Sequence, residues 1–237
     1  MIAKSEQADI SYAIILAAGH GKRMQPLTNT TPKPLLKVAG KALIEYHIEA
    51  LARAGINNIV INTGRLGDQF EPYLGDGSRF GVSIVYSHEG DSPLETGGGI
   101  CKALPLLKGD YFIAVNGDVW TNFDFSLLRK THNNYGHLIL VTNPSHNPQG
   151  DFAFEQGKIK NTGENRYTFS GIAAYHRELF STIAEQAFSL APLLRDAISR
   201  EKISAELFSD QWYDIGTPER LATLEAMLSF NVATDLE

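Results

Sequence analysis

The fold of this chain is decided by one stretch, residues 13–44, which is AIILAAGHGKRMQPLTNTTPKPLLKVAGKALI. It opens as a short apolar run that Gly19 ends, and such a run predicts a strand buried on both faces. The stretch holds five Lys or Arg residues and no Asp or Glu, although the whole chain carries a net charge of −6. A cationic glycine loop at the carboxyl end of a buried strand is where an α/β protein holds phosphates.

Composition and charge exclude several classes of protein. With 237 residues and 43% hydrophobic content, the chain can bury a full core and is not disordered. Its acidic balance argues against nucleic acid or an anionic membrane surface as a partner. No apolar run is long enough for a membrane-spanning helix, and residues 1–11 lack the apolar core of a signal peptide. We therefore expect a cytoplasmic protein with a mobile leader at 1–11.

Strand and helix patterns alternate through the amino half. Helical spacing is found at 41–54, at 68–74, after the glycines at 97–99, and at 125–132. The apolar runs that predict strands are 12–18, 59–62, 82–87, 111–116 and 137–142. This alternation predicts a parallel sheet with right-handed crossovers and flanking helices, over a lobe spanning 12–143.

The pattern changes after Pro144. A hairpin is predicted over 151–160, and Thr217 with Pro218 begins the last helix as N-cap and first helical residue. Between them we predict a strand at 167–175, helices at 177–187 and 191–200, and a closing strand pair at 203–207 and 211–214. The carboxyl lobe, 144–237, would thus add a small antiparallel sheet that covers the parallel one. We predict a single α/β domain over 12–237.

The glycine loop has the chemistry of a phosphate site. Backbone N–H groups near Gly19 and Gly21 can donate to phosphate oxygens, Arg23 offers a bidentate fork, and Lys33 acts as a point charge. The alternative is a tight turn with solvated basic residues. Met24 occupies the third glycine position of a dinucleotide-binding loop, and no Gly-Lys-Ser/Thr follows, so neither common phosphate loop is present.

Two aspartates end predicted strands. Asp118 follows the apolar run 111–116, and Asp214 follows Trp212-Tyr213. Mg²⁺ in proteins is held by one or two carboxylates together with substrate phosphates and water, so this pair is a candidate magnesium site. The alternative for each aspartate is a turn residue that accepts hydrogen bonds from nearby backbone N–H groups.

Three consecutive glycines, 97–99, follow Glu95-Thr96. Each glycine loses much backbone freedom on folding, so a run of three needs a reason. One interpretation is a ledge on which a flat nucleobase lies, and the other is a flexible loop.

Three segments together resemble the sugar-1-phosphate nucleotidylyltransferase family. They are LAAGHGKRMQPL with PKPL (16–27 and 32–35), NGD (116–118) and WYDIGTP (212–218). The resemblance extends over residues 10–228. It implies a Rossmann-like nucleotidyltransferase fold with a small sugar-binding lobe at 144–237. It also implies a reaction in which a sugar 1-phosphate and a nucleoside triphosphate give a nucleotide sugar and pyrophosphate.

A narrower resemblance is carried by PLETGGGI (93–100), VNGDVWT (115–121), GDF (150–152) and FSGI (169–172). These segments are similar to the subgroup that joins UTP to N-acetylmuramic acid α-1-phosphate in peptidoglycan recycling. Other open alternatives are a glucose- or mannose-1-phosphate nucleotidylyltransferase, a phosphocholine cytidylyltransferase, and an inactive nucleotide-sugar-binding domain. We expect UTP and a sugar 1-phosphate as partners, and a monomer or small homo-oligomer.

The resemblance also implies roles for individual residues. Arg23 and Lys33 would grip the phosphates and, with Asp118, form the catalytic set, and Asp118 and Asp214 would bind Mg²⁺. The residues expected to line the nucleotide, besides Arg23 and Lys33, are Ala18, Gly19, Gly21, Thr96 and Gly97. The candidates for the sugar are Asn116, Gly150, Asp151, Glu164 and Asn165.

Overall fold

The computed structural model describes residues 9–90, 92–129, 134–181, 183 and 186–234. The first eight residues of the predicted leader lie outside these ranges. Ile10 is buried in the core, and its backbone N–H donates to Arg129 O at 2.7 Å. Within the described ranges, no helix has the length and apolar character needed to cross a membrane.

Strands and helices alternate through the amino half as predicted. The α-helices are α1 (Leu43–Arg53), α2 (Phe70–Leu74), α3 (Glu95–Ala103), α4 (Leu190–Ser199) and α5 (Pro218–Thr234). The strands are β1 (Tyr12–Leu16), β2 (Lys37–Val38), β3 (Lys41–Ala42), β4 (Asn58–Thr63), β5 (Ser83–His88), β6 (Tyr111–Asn116), β7 (Val119–Thr121), β8 (Gly136–Val141), β9 (Phe152–Glu155), β10 (Lys158–Lys160), β11 (Arg166–His176), β12 (Ile203–Phe208) and β13 (Trp212–Asp214).

A mixed sheet forms the centre of the molecule. Its main path runs β10-β9-β11-β6-β1-β4-β5, with β8 beside β11 and β12 beside β8. β1 pairs in parallel with β4 and β6, and β4 pairs in parallel with β5. β11 runs antiparallel to both β6 and β8. The predicted α/β fold with a mostly parallel mixed sheet is confirmed, and the parallel pairs lie in the amino half.

The carboxyl half extends this sheet, whereas we predicted that it would cover it. β11 lies beside β6 in the sheet interior, and its residues from Ser170 to His176 are buried on both faces. Burial on both faces is the signature of an interior strand, because a covering strand keeps one face in water.

The predicted closing pair of strands is wrong. β12 pairs in parallel with β8, and β13 pairs antiparallel with β7 in a separate two-stranded sheet. Ile203 and Ala205 of β12 are buried against the core, so this strand gains more from joining the central sheet than from a hairpin with the half-exposed β13.

Two predicted helices are shorter in the structure. A 3-10 helix covers Arg177–Phe180, where a helix over 177–187 was predicted, and residues 182, 184 and 185 lie outside the described ranges. Another 3-10 helix, Phe125–Leu128, replaces the predicted 125–132, of which 130–132 lie outside the description. The predicted hairpin is confirmed as β9–β10.

The core has two layers because β1 alternates its side chains between the two faces of the sheet. Ala13 and Ile15 pack in the layer that α1 covers, and Ile14 packs in the layer that α3 and α4 cover. These positions are fully buried, and each large aliphatic side chain contributes about 1.5–3 kcal/mol by leaving water. Packing on both faces holds β1 in place, and so fixes the position of the glycine loop that follows it.

Candidate functional site

A cleft of about 320 Å³ opens at the carboxyl ends of β1, β4 and β6. In an open α/β sheet, ligands bind in the crevice outside this edge. The residues that line the cleft are Leu16, Ala17, Ala18, Gly19, Gly21, Lys22, Arg23, Met24, Lys33, Pro34, Asn62, Glu89, Pro93, Glu95, Thr96, Asn116, Asp118 and Gly216. Six of the seven residues predicted for the nucleotide are in this set, and Gly97 is not.

The glycine loop is held in a fixed shape. Gly21 has φ +61°, and a Cβ there would lie 2.9 Å from Thr28 Cγ2. The Thr28 hydroxyl donates to Gly21 O at 2.8 Å and so fastens the loop. Gly19 is different, because a Cβ on it would meet no atom within 4 Å and would project into open space. The loop therefore presents bare backbone beside the cleft.

Lys33 and Arg23 are two cations that line the cleft. Lys33 is 6% exposed, and its Nζ donates to Asp118 Oδ2 at 2.8 Å. Arg23 is exposed, and its guanidinium lies beside Gly216, where a Cβ would be 3.3 Å from Nη1. Gly216 follows β13, so Arg23 bridges the glycine loop to the carboxyl half of the chain. Both cations are placed to meet a polyphosphate in the cleft.

The two aspartates lie close along the backbone: Asp118 is in the turn directly before β7, and Asp214 is the last residue of β13, which pairs with β7. Asp214 is opposite Val119 in the β13–β7 pair, and the Ile215 N–H donates to Asp118 O at 3.0 Å. Asp118 lines the cleft, and Asp214 is outside its lining. Asp214 Oδ2 is 2.9 Å from both Arg220 Nη1 and His146 Nε2.

The two aspartates suit Mg²⁺ if the nucleotide supplies further ligands. Two carboxylates offer the hard oxygen ligands that Mg²⁺ prefers, and Mg²⁺ takes its remaining ligands from substrate phosphates and water. No group of three or more His, Cys, Asp or Glu residues in the described ranges is placed to hold a metal. Asp118 and Asp214 would therefore bind the ion together with the nucleotide.

The three glycines at 97–99 are neither a ledge nor a flexible loop. They lie in the first half of α3 and are buried. A Cβ on Gly97 would overlap the ring of Phe188, one on Gly98 would overlap the carbonyl oxygen of Gln186, and one on Gly99 would overlap Glu89 Oε1. Close packing, rather than a ligand, requires these glycines. Thr96 and Glu95, at the start of α3, face the cleft instead.

Only one of the five sugar candidates lines the main cleft. Asn116 lies there and packs against Gly171, which has φ +80° where the register of β11 shifts. Asp151 is occupied by structural hydrogen bonds, because its Oδ2 accepts from Phe169 N at 2.8 Å and its Oδ1 from Asn147 Nδ2 at 3.2 Å. Its neighbour is Gly150, where a Cβ would be 2.9 Å from the backbone of Tyr167.

The other two sugar candidates belong to a different surface. Glu164 and Asn165 line a second, open and polar cleft beside the β9–β10 hairpin, together with Glu155 and Tyr167. Glu155 Oε1 accepts from the Glu164 N–H at 3.1 Å. The structure does not bring these two residues to the main cleft, and their predicted role in sugar binding stays untested.

Sequence reasoning missed four residues at the site. Asn62 and Glu89 stand at the carboxyl ends of β4 and β5, and that position was the available signal, because it is the edge where ligands bind. Arg220 is three residues after the N-cap Thr217, where a capping box has Glu or Gln, and this departure from the helix-start pattern was its signal. No signal in the sequence pointed to His146, because only the path of its loop in the folded chain brings it to Asp214.

A buried histidine supports the strand that follows Asp118. His47 lies on α1, is 2% exposed, and its Nε2 is 2.8 Å from Val119 O. Burial lowers the pKa of His47 to about 4, so the ring is neutral at pH 7 and donates from Nε2 to the carbonyl. The hydrogen bond fixes the backbone directly after the aspartate.

Known proteins of similar sequence cover most of this chain. N-acetylmuramate alpha-1-phosphate uridylyltransferase from Neisseria meningitidis serogroup B is 47% identical over 91% of this chain and 97% of its own length. A mannose-1-phosphate guanylyltransferase catalytic subunit beta from Xenopus tropicalis is 30% identical over 89% of this chain, which spans 62% of that protein.

Solved structures share the fold. A Bacillus anthracis protein assigned as a glucose-1-phosphate thymidylyltransferase superposes with a TM-score of 0.79 at 23% identity, covering 91% of this chain and 94% of its own. The sequence model of the family described as nucleotidyl transferase matches residues 12–229. This chain belongs to the nucleotidyl transferase family.

Proposed function

We propose that this protein transfers a uridylyl group from UTP to N-acetylmuramic acid α-1-phosphate and releases pyrophosphate. The observation that carries the proposal is the 47% identity, over nearly the full length of both chains, to the Neisseria enzyme that bears this activity in its name. The cleft supports it, because a bare glycine loop and the two cations Arg23 and Lys33 suit a triphosphate.

The attacking group needs no general base. The phosphate of a sugar 1-phosphate is largely dianionic at pH 7, because its second pKa is about 6. One of its oxygens forms a bond to the α-phosphorus of UTP as the bond from that phosphorus to the β-bridging oxygen breaks. The electron pair of the broken bond leaves with pyrophosphate. The work left to the protein is to position two anions and to neutralise their charge.

Lys33 and Arg23 divide this work. Lys33 is buried and fixed against Asp118, so its ammonium is a preorganised charge beside the expected position of the α-phosphate. Arg23 is exposed at the mouth of the cleft, where its fork can bind the outgoing pyrophosphate. The glycine loop donates backbone N–H groups between them.

Mg²⁺ is the proposed metal, and Asp118 and Asp214 would hold it. When bound, the ion neutralises phosphate charge. Addition of EDTA should abolish pyrophosphate release, and Mg²⁺ should restore it. Asp118→Asn should lower turnover while leaving the thermal midpoint close to that of the wild type, because Asn can still accept from Lys33. Activity that survives both treatments would contradict the metal proposal.

A substrate screen tests the function directly. Four nucleoside triphosphates are combined with muramic acid, glucose and mannose 1-phosphates and with phosphocholine, and pyrophosphate release is measured with Mg²⁺. UTP with N-acetylmuramic acid α-1-phosphate should give the highest kcat/KM. A higher value for another pair would replace the proposed substrates, and no release from any pair would indicate a binding domain.

A further inference from the structure

Asp214 stands on a weaker support than Asp118. Asp118 comes directly after the turn residue Gly117 at the end of β6, which is an interior strand held by β1 and β11. Asp214 ends β13, which pairs with β7 in a separate two-stranded sheet. A two-stranded sheet by itself is marginally stable, so the position of Asp214 depends on contacts from outside that sheet.

Side chains connect β13 to three other parts of the chain. Arg220 Nη1, on α5, donates to Asp214 Oδ2 at 2.9 Å. Trp212 Nε1 donates to Ser170 O of β11, also at 2.9 Å. His146 Nε2 lies 2.9 Å from Asp214 Oδ2, the same oxygen that Arg220 contacts. The histidine belongs to the loop between β8 and β9, so this loop reaches a residue proposed to bind Mg²⁺.

The loop that carries His146 is itself held in place by β11. Asn147 Nδ2 donates to Asp151 Oδ1 and to Thr168 Oγ1, both at 3.2 Å. The Thr168 hydroxyl donates to Asn143 Oδ1 at 2.9 Å. Thr168 is a buried residue of β11, so the loop is anchored to an interior strand on both sides of the histidine. The contact of His146 with Asp214 thus connects β13 to the central sheet.

Each aspartate of the proposed magnesium pair has one engaged oxygen and one open oxygen. Within the described ranges, the hydrogen bond and ion pair to the Asp118 side chain reach Oδ2, from Lys33 at 2.8 Å. Those to the Asp214 side chain also end on Oδ2. Each Oδ1 therefore stays open for a hard cation, which prefers carboxylate oxygen. Partners of this kind orient the ligands of a metal.

We propose that His146 is a positioning residue for Asp214. It ties a carboxylate on a two-stranded sheet to a loop that β11 anchors, and so keeps that carboxylate in one orientation before ion and nucleotide bind. The inference rests on the proposed function, in which Asp118 and Asp214 hold the ion together with UTP. His146 acts through Asp214 and takes no part in the reaction itself.

Substitution of His146 can separate positioning from folding. The side chain is 29% exposed, so His146→Ala should keep a thermal midpoint close to that of the wild type. His146→Gln keeps an N–H donor near the position of Nε2 and should behave almost as the wild type. His137→Ala is the matched control, because His137 Nε2 also lies beside a carboxylate, 3.6 Å from Glu206 Oε2, and does not line the cleft.

The first measurement is hydrogen exchange of backbone amides in the protein without metal or nucleotide. In His146→Ala, the amides of residues 212–216 should exchange about tenfold faster, because β13 has lost one of its contacts. The amides of β6 and β11 should keep their wild-type rates. His146→Gln and His137→Ala should leave the rates over 212–216 unchanged.

The second measurement is the affinity for Mn²⁺, which accepts the same oxygen ligands as Mg²⁺ and is paramagnetic. Free Mn²⁺ is followed by electron paramagnetic resonance with UTP present and no sugar phosphate, and a titration of UTP alone is subtracted. The Kd for Mn²⁺ should rise about tenfold in His146→Ala and stay within about threefold of the wild type in His146→Gln. His137→Ala should leave it unchanged.

The inference requires both measurements to change in His146→Ala. A change in one of them alone, or in neither, would overturn it. It would also be overturned by a glutamine variant as impaired as the alanine variant, or by faster exchange throughout the central sheet, because these results indicate a general structural role. If the wild type binds no Mn²⁺ beyond that held by UTP alone, the proposed function fails, and exchange over 212–216 then tests the contact by itself.

Discussion

Lys33 Nζ and Asp118 Oδ2 lie 2.8 Å apart although 85 residues separate them in the chain. The lysine side chain is 7% exposed and the aspartate 41%, so the cation is buried and the anion stands at the cleft. Pro32 and the 3-10 helix Lys33–Leu35 hold the lysine in place, and the end of β6 holds the aspartate in place. The pair holds a positive charge in place before the substrate arrives.

Replacement of Lys33 should separate catalysis from folding. Lys33→Met keeps the volume of the side chain and removes its charge, and the exposed Asp118 can be hydrated instead. We expect kcat for pyrophosphate release to fall about a hundred- to a thousandfold, with little change in the thermal midpoint. Lys37→Met, at a neighbouring exposed lysine, is the matched control and should keep full activity. An unchanged kcat in Lys33→Met would remove this residue from the catalytic set.

Gly19, which lines the cleft, and Gly64, which packs against Ala18, should respond in opposite ways to alanine. Gly19→Ala adds a methyl group where no atom lies within 4 Å, so the fold should keep its stability or gain about 0.4–1 kcal/mol. The same methyl group should raise the KM for UTP, because it occupies the loop surface that phosphates approach. Gly64→Ala places its Cβ 2.7 Å from Ala18 O and should lose about 1–3 kcal/mol.

Urea unfolding and steady-state kinetics of both glycine variants distinguish the two effects. A Gly19→Ala protein with wild-type KM would show that the open space beside Gly19 is not where the nucleotide binds.

Arg220 should support the site through its ion pair with Asp214, although Gln at this position would stabilise the start of α5 better. Gln at this position completes a capping box with Thr217, so Arg220→Gln should keep or slightly raise the thermal midpoint. Asp214 would lose a charge-assisted hydrogen bond, and we expect kcat/KM to fall about tenfold. Arg220→Lys keeps the charge and should recover part of the loss. An Arg220→Gln protein with the kcat/KM of the wild type would leave the arginine with no role at the site.

The sequence predicted the parallel half of the fold because its signals are local. Buried strands such as β1 and β6 are apolar runs that a glycine or a polar turn ends, and the helix α1 has clear amphipathic spacing. The strands of the carboxyl half carry the same local signal but choose their partners by long-range packing. Nothing in Ile203–Phe208 shows that it pairs with β8 rather than with β13.

The sequence pointed to those cleft residues whose charge alone suggests a role. Arg23 follows the glycine loop, Lys33 stands between two prolines, and Asp118 follows an apolar strand. The cleft contains all three. The glycines at 97–99 were misjudged because Phe188 and Gln186, which pack against Gly97 and Gly98, are distant in sequence. A side chain that reaches the site only through the path of a loop, as His146 does, cannot be predicted before the fold is known.

His47 should make the stability of the protein depend on pH. The pKa of the folded histidine is lowered from 6.5 to about 4, chiefly by burial, so the unfolded chain binds a proton that the folded chain does not between these values. Stability is therefore unaffected above about pH 6.5 and falls as the pH decreases towards 4, by about 3 kcal/mol in total. Urea unfolding at a series of pH values measures this slope.

His47→Gln should flatten the slope while keeping a donor for Val119 O. Burial also lowers the pKa of His176, which contributes to the slope in both proteins, so the difference between them isolates His47. The glutamine variant should lose stability at pH 7, because its amide fits the imidazole site less well, and should lose less than the wild type between pH 6.5 and 4. Parallel slopes in the two proteins would show that His47 is protonated in the folded state and that its ring does not donate to Val119 as a neutral group.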